Sequence, residues 1–97
     1  MRLRWTPLAA SDLEEIHEYL SEHHPSFAQS TVRLLYDAVR SLRRFPERGR
    51  LGDAIGTREL ILARLPYIIV YRTTHEIVEV VRIYHSAQDR RGANLTE

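Results

Sequence analysis

The 97-residue sequence contains no cysteine and no lysine, and it has only four glycines and four prolines. Without cysteine the chain has neither disulfides nor thiolate metal sites, so its core alone must hold the fold together. No apolar run approaches the roughly 18 residues of a membrane helix. The amino end, MRLRWTPLAASDLEE, turns acidic where a signal peptide would be apolar. We therefore expect a cytoplasmic protein that makes no contact with membranes.

Several motifs that mark common enzyme classes are also missing. The sequence has no phosphate-binding glycine loop, no HExxH, no GxSxG and no pair of histidines at metal-binding spacing on a predicted helix. The adjacent His23 and His24 point in different directions at a helix end, which makes a shared metal ion improbable. We expect no metal and no cofactor.

The charge is small overall but unevenly distributed. Residues 1–24 carry two arginines and five acidic residues, whereas residues 25–58 carry seven arginines and three. Arginine suits carboxylate and phosphate partners, although an arginine-rich codon usage and a solvated helix face explain the same residues. The formal net charge of +1 is low for a dedicated nucleic-acid binder. Sequence-specific nucleic-acid binding is not expected.

Hydrophobic periodicity predicts one α+β domain over residues 1–97. Thr6 and Pro7 form a helix-start signal, and Pro25 separates two amphipathic helices. Alternating apolar residues indicate strands before and after this helical hairpin. The predicted elements are a strand at 2–5, helices at 7–22 and 26–45, a loop at 46–57, and strands at 58–63, 67–72 and 77–85.

This order, β-α-α-β-β-β, predicts a two-layer fold in which the helical hairpin packs on a mainly antiparallel four-stranded sheet. Strict alternation along the last strand would place Val78, Val80, Arg82 and Tyr84 on one side. Both sides are apolar, so the pattern does not decide which one meets the helices.

The strand ends carry the candidate functional residues. Arg58, Arg72 and Arg82 could line one basic strip on the sheet, or each could form an internal salt bridge with Glu59, Glu76 or Glu79. Tyr84 and His85 are candidates for binding or, in a nuclease, for catalysis together with Arg82. Core packing or an edge hydrogen bond is the alternative for both.

The succession of motifs resembles the RelE/ParE superfamily of bacterial type II toxins, and within it the ParE-like branch. The resemblance rests on Trp5, Ala9, Asp12, Leu13 and Ile16, followed by FPERGR, RELI, YIIVYR and VRIYHSAQDRR. It covers nearly the whole chain. It implies a toxin neutralised by a ParD-like antitoxin in a heteromeric complex, which lays an extended, partly helical acidic segment across its surface.

The resemblance also implies two alternative activities. RelE-like toxins cleave messenger RNA on the ribosome, whereas ParE-like toxins poison DNA gyrase. The nuclease positions align with Glu59, Ile61, Ile68 and Ala87, an acid and three hydrocarbon side chains, which supply no positive charge to stabilise the phosphate. Some nuclease relatives place a catalytic histidine where His85 stands, but their accompanying arginine falls at Ile68.

The sequence therefore favours a gyrase poison with no catalytic residue. Arg58, Arg72, Arg82, Tyr84 and His85 are then candidates for contacts with antitoxin or target. The alternatives are an endoribonuclease that uses Arg82, Tyr84 and His85, and a non-toxic relative that only binds antitoxin.

Overall fold

The computed structural model describes residues 1–87. Residues 88–91 of the stretch VRIYHSAQDRR, and the rest of the predicted domain as far as residue 97, lie outside the described residues. The elements run in the order β1 (Arg2–Trp5), α1 (Pro7–His23), α2 (Pro25–Ser41), β2 (Arg50–Leu51), β3 (Arg58–Ile61), β4 (Tyr67–Thr73) and β5 (Ile77–His85).

The predicted two-layer α+β fold is confirmed, with one additional strand. The sheet has five strands in the order β1-β5-β4-β3-β2, and only the β1–β5 pair is parallel. The extra strand, β2, lies in the segment predicted as loop and pairs antiparallel with Arg58 and Glu59. Two residues are too few to show a strand periodicity, so β2 has no recognisable pattern in the sequence.

The two helices begin where the sequence indicates. The Thr6 hydroxyl accepts a hydrogen bond from the backbone N–H of Ala9 (3.1 Å), and proline occupies the first turn of both helices. The second helix ends at Ser41 rather than at 45. From Leu42 to Arg44 each N–H bonds to the carbonyl three residues back, which tightens the chain out of the α-helix.

The main core lies between the helical hairpin and one face of the sheet. Its buried members come from both helices and from the three longest antiparallel strands, and they include Leu35, Val39, Ile69, Val78 and Val80. A smaller apolar cluster on the opposite face consists of Ile68, Val70, Val81 and Tyr84. Both faces of β4 and β5 are thus buried, which explains why each side of these strands is apolar.

Strict alternation along β5 is wrong beyond Val80. Val70 pairs with Arg82 and the next residue, Tyr71, pairs with Val80, so Val81 is an extra residue in a β-bulge. The bulge shifts the pattern by one, and Ile83 joins Val78 and Val80 in the main core. Tyr84 consequently lies on the far face with Val81.

The Tyr71 hydroxyl ties the segment before β2 to the core. It donates to the Pro46 carbonyl and accepts from the Gly49 N–H, both at 2.8 Å. A side chain at Gly49 would meet Tyr71 at 2.8 Å, so only glycine allows this approach. Burial raises the pKa of Tyr71 against the lowering effect of the Gly49 hydrogen bond. The stability gained from the neutral phenol is present below about pH 10 and is lost as pH rises through the folded-state pKa.

Replacing Tyr71 with Phe should lower the free energy of unfolding by about 1–3 kcal/mol, because a buried N–H and a carbonyl lose their partner. Urea unfolding followed by far-UV circular dichroism measures the change. Tyr36→Phe, at a half-exposed tyrosine, is the matched control and should be close to neutral. Equal stability of both variants would show that the two hydrogen bonds do not anchor this segment.

Candidate functional site

The edge of β5 next to the first helix carries two of the candidate residues, Arg82 and His85. β1 pairs with β5 only as far as Val80, so within residues 1–87 the edge beyond it has no neighbouring strand. Side chains take the place of that strand. The Thr6 hydroxyl donates to the Val81 carbonyl (2.9 Å), and the Asp12 carboxylate accepts from the Ile83 N–H (2.8 Å).

Asp12 also holds Arg82. The Arg82 guanidinium donates from Nε to Oδ2 (2.8 Å) and from Nη2 to Oδ1 (3.0 Å), the two-pronged geometry in which arginine binds carboxylates most strongly. The Arg82 guanidinium carbon also lies 5.0 Å from the centre of the Tyr84 ring. The guanidinium is therefore fixed by residues of its own chain.

A cleft of about 500 Å³ opens between α1 and the ends of β4 and β5, and we call it the α1–sheet cleft. Its apolar walls include Ile16, Leu20, Tyr67 and Ile83. Its polar rim consists of Asp12, Glu15, Tyr19, His24, Arg82 and His85.

The described residues do not make the cleft a cationic site. Asp12 neutralises Arg82, Glu15 adds a second carboxylate, and no other arginine of residues 1–87 lines the cleft. Burial, with a smaller contribution from Tyr19, raises the pKa of Tyr67, which keeps its phenol neutral. A phosphate would meet more negative than positive charge here.

His85 ends β5 on the rim of the cleft. Its ring packs edge-on against Tyr67 with the centroids 5.6 Å apart, and its Nδ1 accepts from the Ala87 N–H at 3.1 Å. The cleft therefore brings Arg82 and His85 together. Tyr84 is 4% exposed and belongs to the cluster on the opposite face of the sheet, so it does not join them.

The three candidate arginines do not form a common strip. Arg58 lies opposite Tyr71, on the helix side of the sheet, and donates to the Gly49 carbonyl at 2.8 Å. Arg72 lies on the other face and donates to Glu79 at 2.7 Å, while Arg82 bonds to Asp12.

The internal salt bridge that the sequence offered as an alternative is present for Arg72 with Glu79. Arg4 joins the same carboxylate at 3.3 Å.

The positions that align with nuclease residues are apolar or already engaged. Glu59 is 4% exposed and accepts from Arg50 at 3.0 Å, and Ile61 pairs with Ile68 between neighbouring strands. Ala87 follows β5 directly. Within residues 1–87, no group of three or more His, Asp or Glu side chains is arranged to hold a metal ion, and no helix is long and apolar enough to cross a membrane.

Asp12 is the residue whose importance the charge pattern concealed. It is one of five acidic residues in the first 24, most of which lie on the exposed face of the first helix, yet it is 9% exposed. A signal was present, because Asp12 lies three residues after Ala9 and four before Ile16, on the apolar stripe of the helix. Its partner on β5 is 70 residues away in sequence, and no local pattern reveals such a pair.

Comparison with known proteins identifies the family. Residues 3–90 match the family described as ParE toxin of type II toxin-antitoxin system, parDE. The chain is 40% identical over 87 residues to protein Y4kP of Sinorhizobium fredii, covering 90% of both proteins. It is also 40% identical over 84 residues to toxin RelE2 of Caulobacter vibrioides, covering 87% of this chain and 93% of that one.

A solved structure supports the same assignment. The chain superposes with a TM-score of 0.80 and 28% identity on a chain from the chromosomal ParDE toxin-antitoxin system of P. aeruginosa, covering 88% of this chain and 95% of the other. Family, relatives and fold thus agree over nearly the whole chain. The protein belongs to the ParE toxin family and is the toxin of a type II toxin-antitoxin system.

Proposed function

We propose that this toxin arrests growth by binding and poisoning DNA gyrase through protein–protein contacts, and that it has no catalytic residue. The observation that carries the proposal is the charge of the α1–sheet cleft. Among residues 1–87, the arginine that lines the cleft with His85 is held by Asp12, and Glu15 leaves an excess of negative charge. RNA cleavage needs donors aimed at the phosphate, and the loss of one such donor commonly costs about a hundredfold in rate.

Gyrase supercoiling assays test the proposal. Micromolar toxin should inhibit supercoiling and leave gyrase trapped on cleaved DNA. His85→Ala should inhibit to the same extent, because the imidazole carries no proton in this mechanism. Gyrase that works normally in the presence of the toxin would remove the proposal.

A ribosome-dependent endoribonuclease is the second candidate. Two observations favour it, namely the name RelE2 of one relative and the presence of Arg82 and His85 in the same cleft. Mapping transcript ends after brief induction separates the two candidates. Codon-positioned cuts that disappear with His85→Ala support the nuclease, whereas intact transcripts with a DNA-damage response support the gyrase poison. A non-toxic relative would leave growth unchanged when it is induced without its antitoxin.

A ParD-like antitoxin neutralises the toxin in this proposal by placing an apolar anchor in the α1–sheet cleft. The cleft is open, and its walls are apolar where α1 faces the sheet. Tyr19 stands on its rim at 56% exposure and offers a rigid aromatic contact of the kind that dominates interfaces. The outward sides of Arg58 and Arg72 remain candidates for further contacts with antitoxin or gyrase, and His85 remains a candidate for contact with the antitoxin. With the antitoxin and gyrase as its partners, the toxin acts in the cytoplasm in this proposal.

A further inference from the structure

Five arginines converge where β1 begins and α2 ends. Arg2 comes from β1, Arg40 from the last turn of α2, and Arg43, Arg44 and Arg48 from the turns that follow. Arg43 joins the two elements by donating from Nε to the Met1 carbonyl at 3.3 Å. Two shallow depressions lie side by side here, and Arg40 and Arg43 line both of them. We call this region the arginine surface.

The arginine surface groups five arginines that form no ion pair within residues 1–87, a property that Arg33, Arg58 and Arg64 share elsewhere on the protein. Arg4, Arg50, Arg72 and Arg82 each lie within 4.0 Å of a carboxylate oxygen. Within residues 1–87, none of the five arginines of this surface forms such an ion pair. A third depression, which shares Arg44 with one of these two, is lined by Phe45, Glu47 and Arg48 among others. Asp37 and Glu47 are the acids that line the three depressions within residues 1–87, so the five arginines leave a positive excess.

Exposed aromatic rings lie among these arginines. Tyr36 is one helical turn before Arg40, is 46% exposed, and stacks on Trp5 with the ring centroids 6.1 Å apart. Phe45 follows Arg44 and is 61% exposed. Both rings line depressions of the arginine surface. A basic surface interleaved with exposed aromatics is the arrangement by which proteins bind single-stranded nucleic acids, because bases stack on rings while arginines hold phosphates.

We propose that the arginine surface binds the phosphodiester backbone of a nucleic acid, independently of sequence, with Tyr36 and Phe45 stacking on unpaired bases. An acidic protein segment would use the charges but would gain less from the two rings. The arginine surface and the α1–sheet cleft lie at opposite ends of β5. Arg2, on the arginine surface, pairs with Ile77 at the start of β5, and His85, on the rim of the cleft, ends that strand about 26 Å away. The inference does not depend on gyrase being the target.

Fluorescence anisotropy with the full-length toxin and labelled oligonucleotides tests the proposal. A single strand should bind more tightly than a duplex of the same length. With about four phosphate contacts, single-strand affinity should fall roughly 50-fold between about 50 and 200 mM salt. DNA and RNA strands compared side by side show whether the 2′-hydroxyl contributes. No binding at the lower salt concentration, or binding without salt dependence, would overturn the proposal.

Charge-reversal variants locate the site. Arg40→Glu with Arg44→Glu should weaken binding at least about tenfold, since two phosphate contacts become repulsive. The matched control is Arg33→Glu with Arg64→Glu, which changes the net charge equally at exposed arginines outside the surface. Tyr36→Ala should weaken single-strand binding about fivefold or more, with little effect on the duplex. Thermal unfolding confirms that each variant is folded.

Three results would contradict the proposal. Equal weakening by the control pair would mean that net charge alone drives binding. An unchanged affinity of Tyr36→Ala for single strands would remove the stacking role. Displacement of the oligonucleotide by poly-glutamate as readily as by unlabelled oligonucleotide would identify the surface as a site for an acidic protein segment instead.

Discussion

Asp12→Ala should lower the free energy of unfolding by about 3–4 kcal/mol, a large part of the stability of so small a domain. The substitution leaves the Arg82 guanidinium without its carboxylate and the Ile83 N–H without its acceptor. The expected loss lies in the lower part of the range for buried pairs because the Arg82 side chain is still 21% exposed to water. Urea unfolding measures it.

Two further variants show whether the loss of stability comes from breaking the Asp12–Arg82 ion pair or from removing any carboxylate from the helix. Glu14→Ala removes an exposed carboxylate from the same helix and should change stability by less than about 0.5 kcal/mol. Asp12→Ala combined with Arg82→Met should recover part of the loss, because no uncompensated charge remains at the edge of β5. A loss below about 1 kcal/mol for Asp12→Ala would show that the pair does not hold α1 to the sheet.

Tyr19→Ala should weaken antitoxin binding by about 30-fold or more, the effect of losing an aromatic anchor worth about 2 kcal/mol. This follows from the proposal that the antitoxin enters the α1–sheet cleft, on whose rim Tyr19 stands. Stability should change little, since the ring is 56% exposed and contacts His23 on its own helix. Isothermal titration with the cognate antitoxin measures the affinity.

Phe27→Ala is the matched control for this prediction. Phe27 is an aromatic residue of similar exposure, 61%, near the start of α2, and it does not line the cleft. Its loss should leave antitoxin affinity within about twofold, as is usual for residues outside the contact surface. If both variants bind like the unaltered toxin, the antitoxin does not use the cleft.

The arginines of this protein differ in whether they pair with a carboxylate of their own chain. The sequence offers fourteen basic residues, all arginine, and gives no reason to prefer one over another. The strand arginines that the motifs emphasised are the ones that bond to their own chain, as Arg72 does to Glu79 and Arg82 to Asp12. The helix-end arginines, which a solvated face explains equally well, form no ion pair within residues 1–87, although Arg43 donates to the Met1 carbonyl and Arg48 to the Ser41 hydroxyl.

Local patterns predicted most of the fold. The first and last strands have the predicted bounds, the first helix starts at Pro7 as predicted, and the second starts at Pro25, one residue before the predicted start. These features depend on interactions within a few residues, such as the Thr6 cap and the spacing of apolar residues on a helix. The packing of the hairpin on the sheet followed from the same amphipathic faces, because each needs an apolar surface to cover.

The sequence by itself determined the element order, the amphipathic faces and the lack of basic residues at Glu59, Ile61, Ile68 and Ala87. Those properties are either local or chemical, so they can be read without coordinates. Only the tertiary structure decided that Val81 forms a bulge, that Asp12 fixes Arg82, and that five arginines from separate segments share one surface. The physical reason is that each of these depends on contacts between residues far apart in the chain, which no short-range periodicity records.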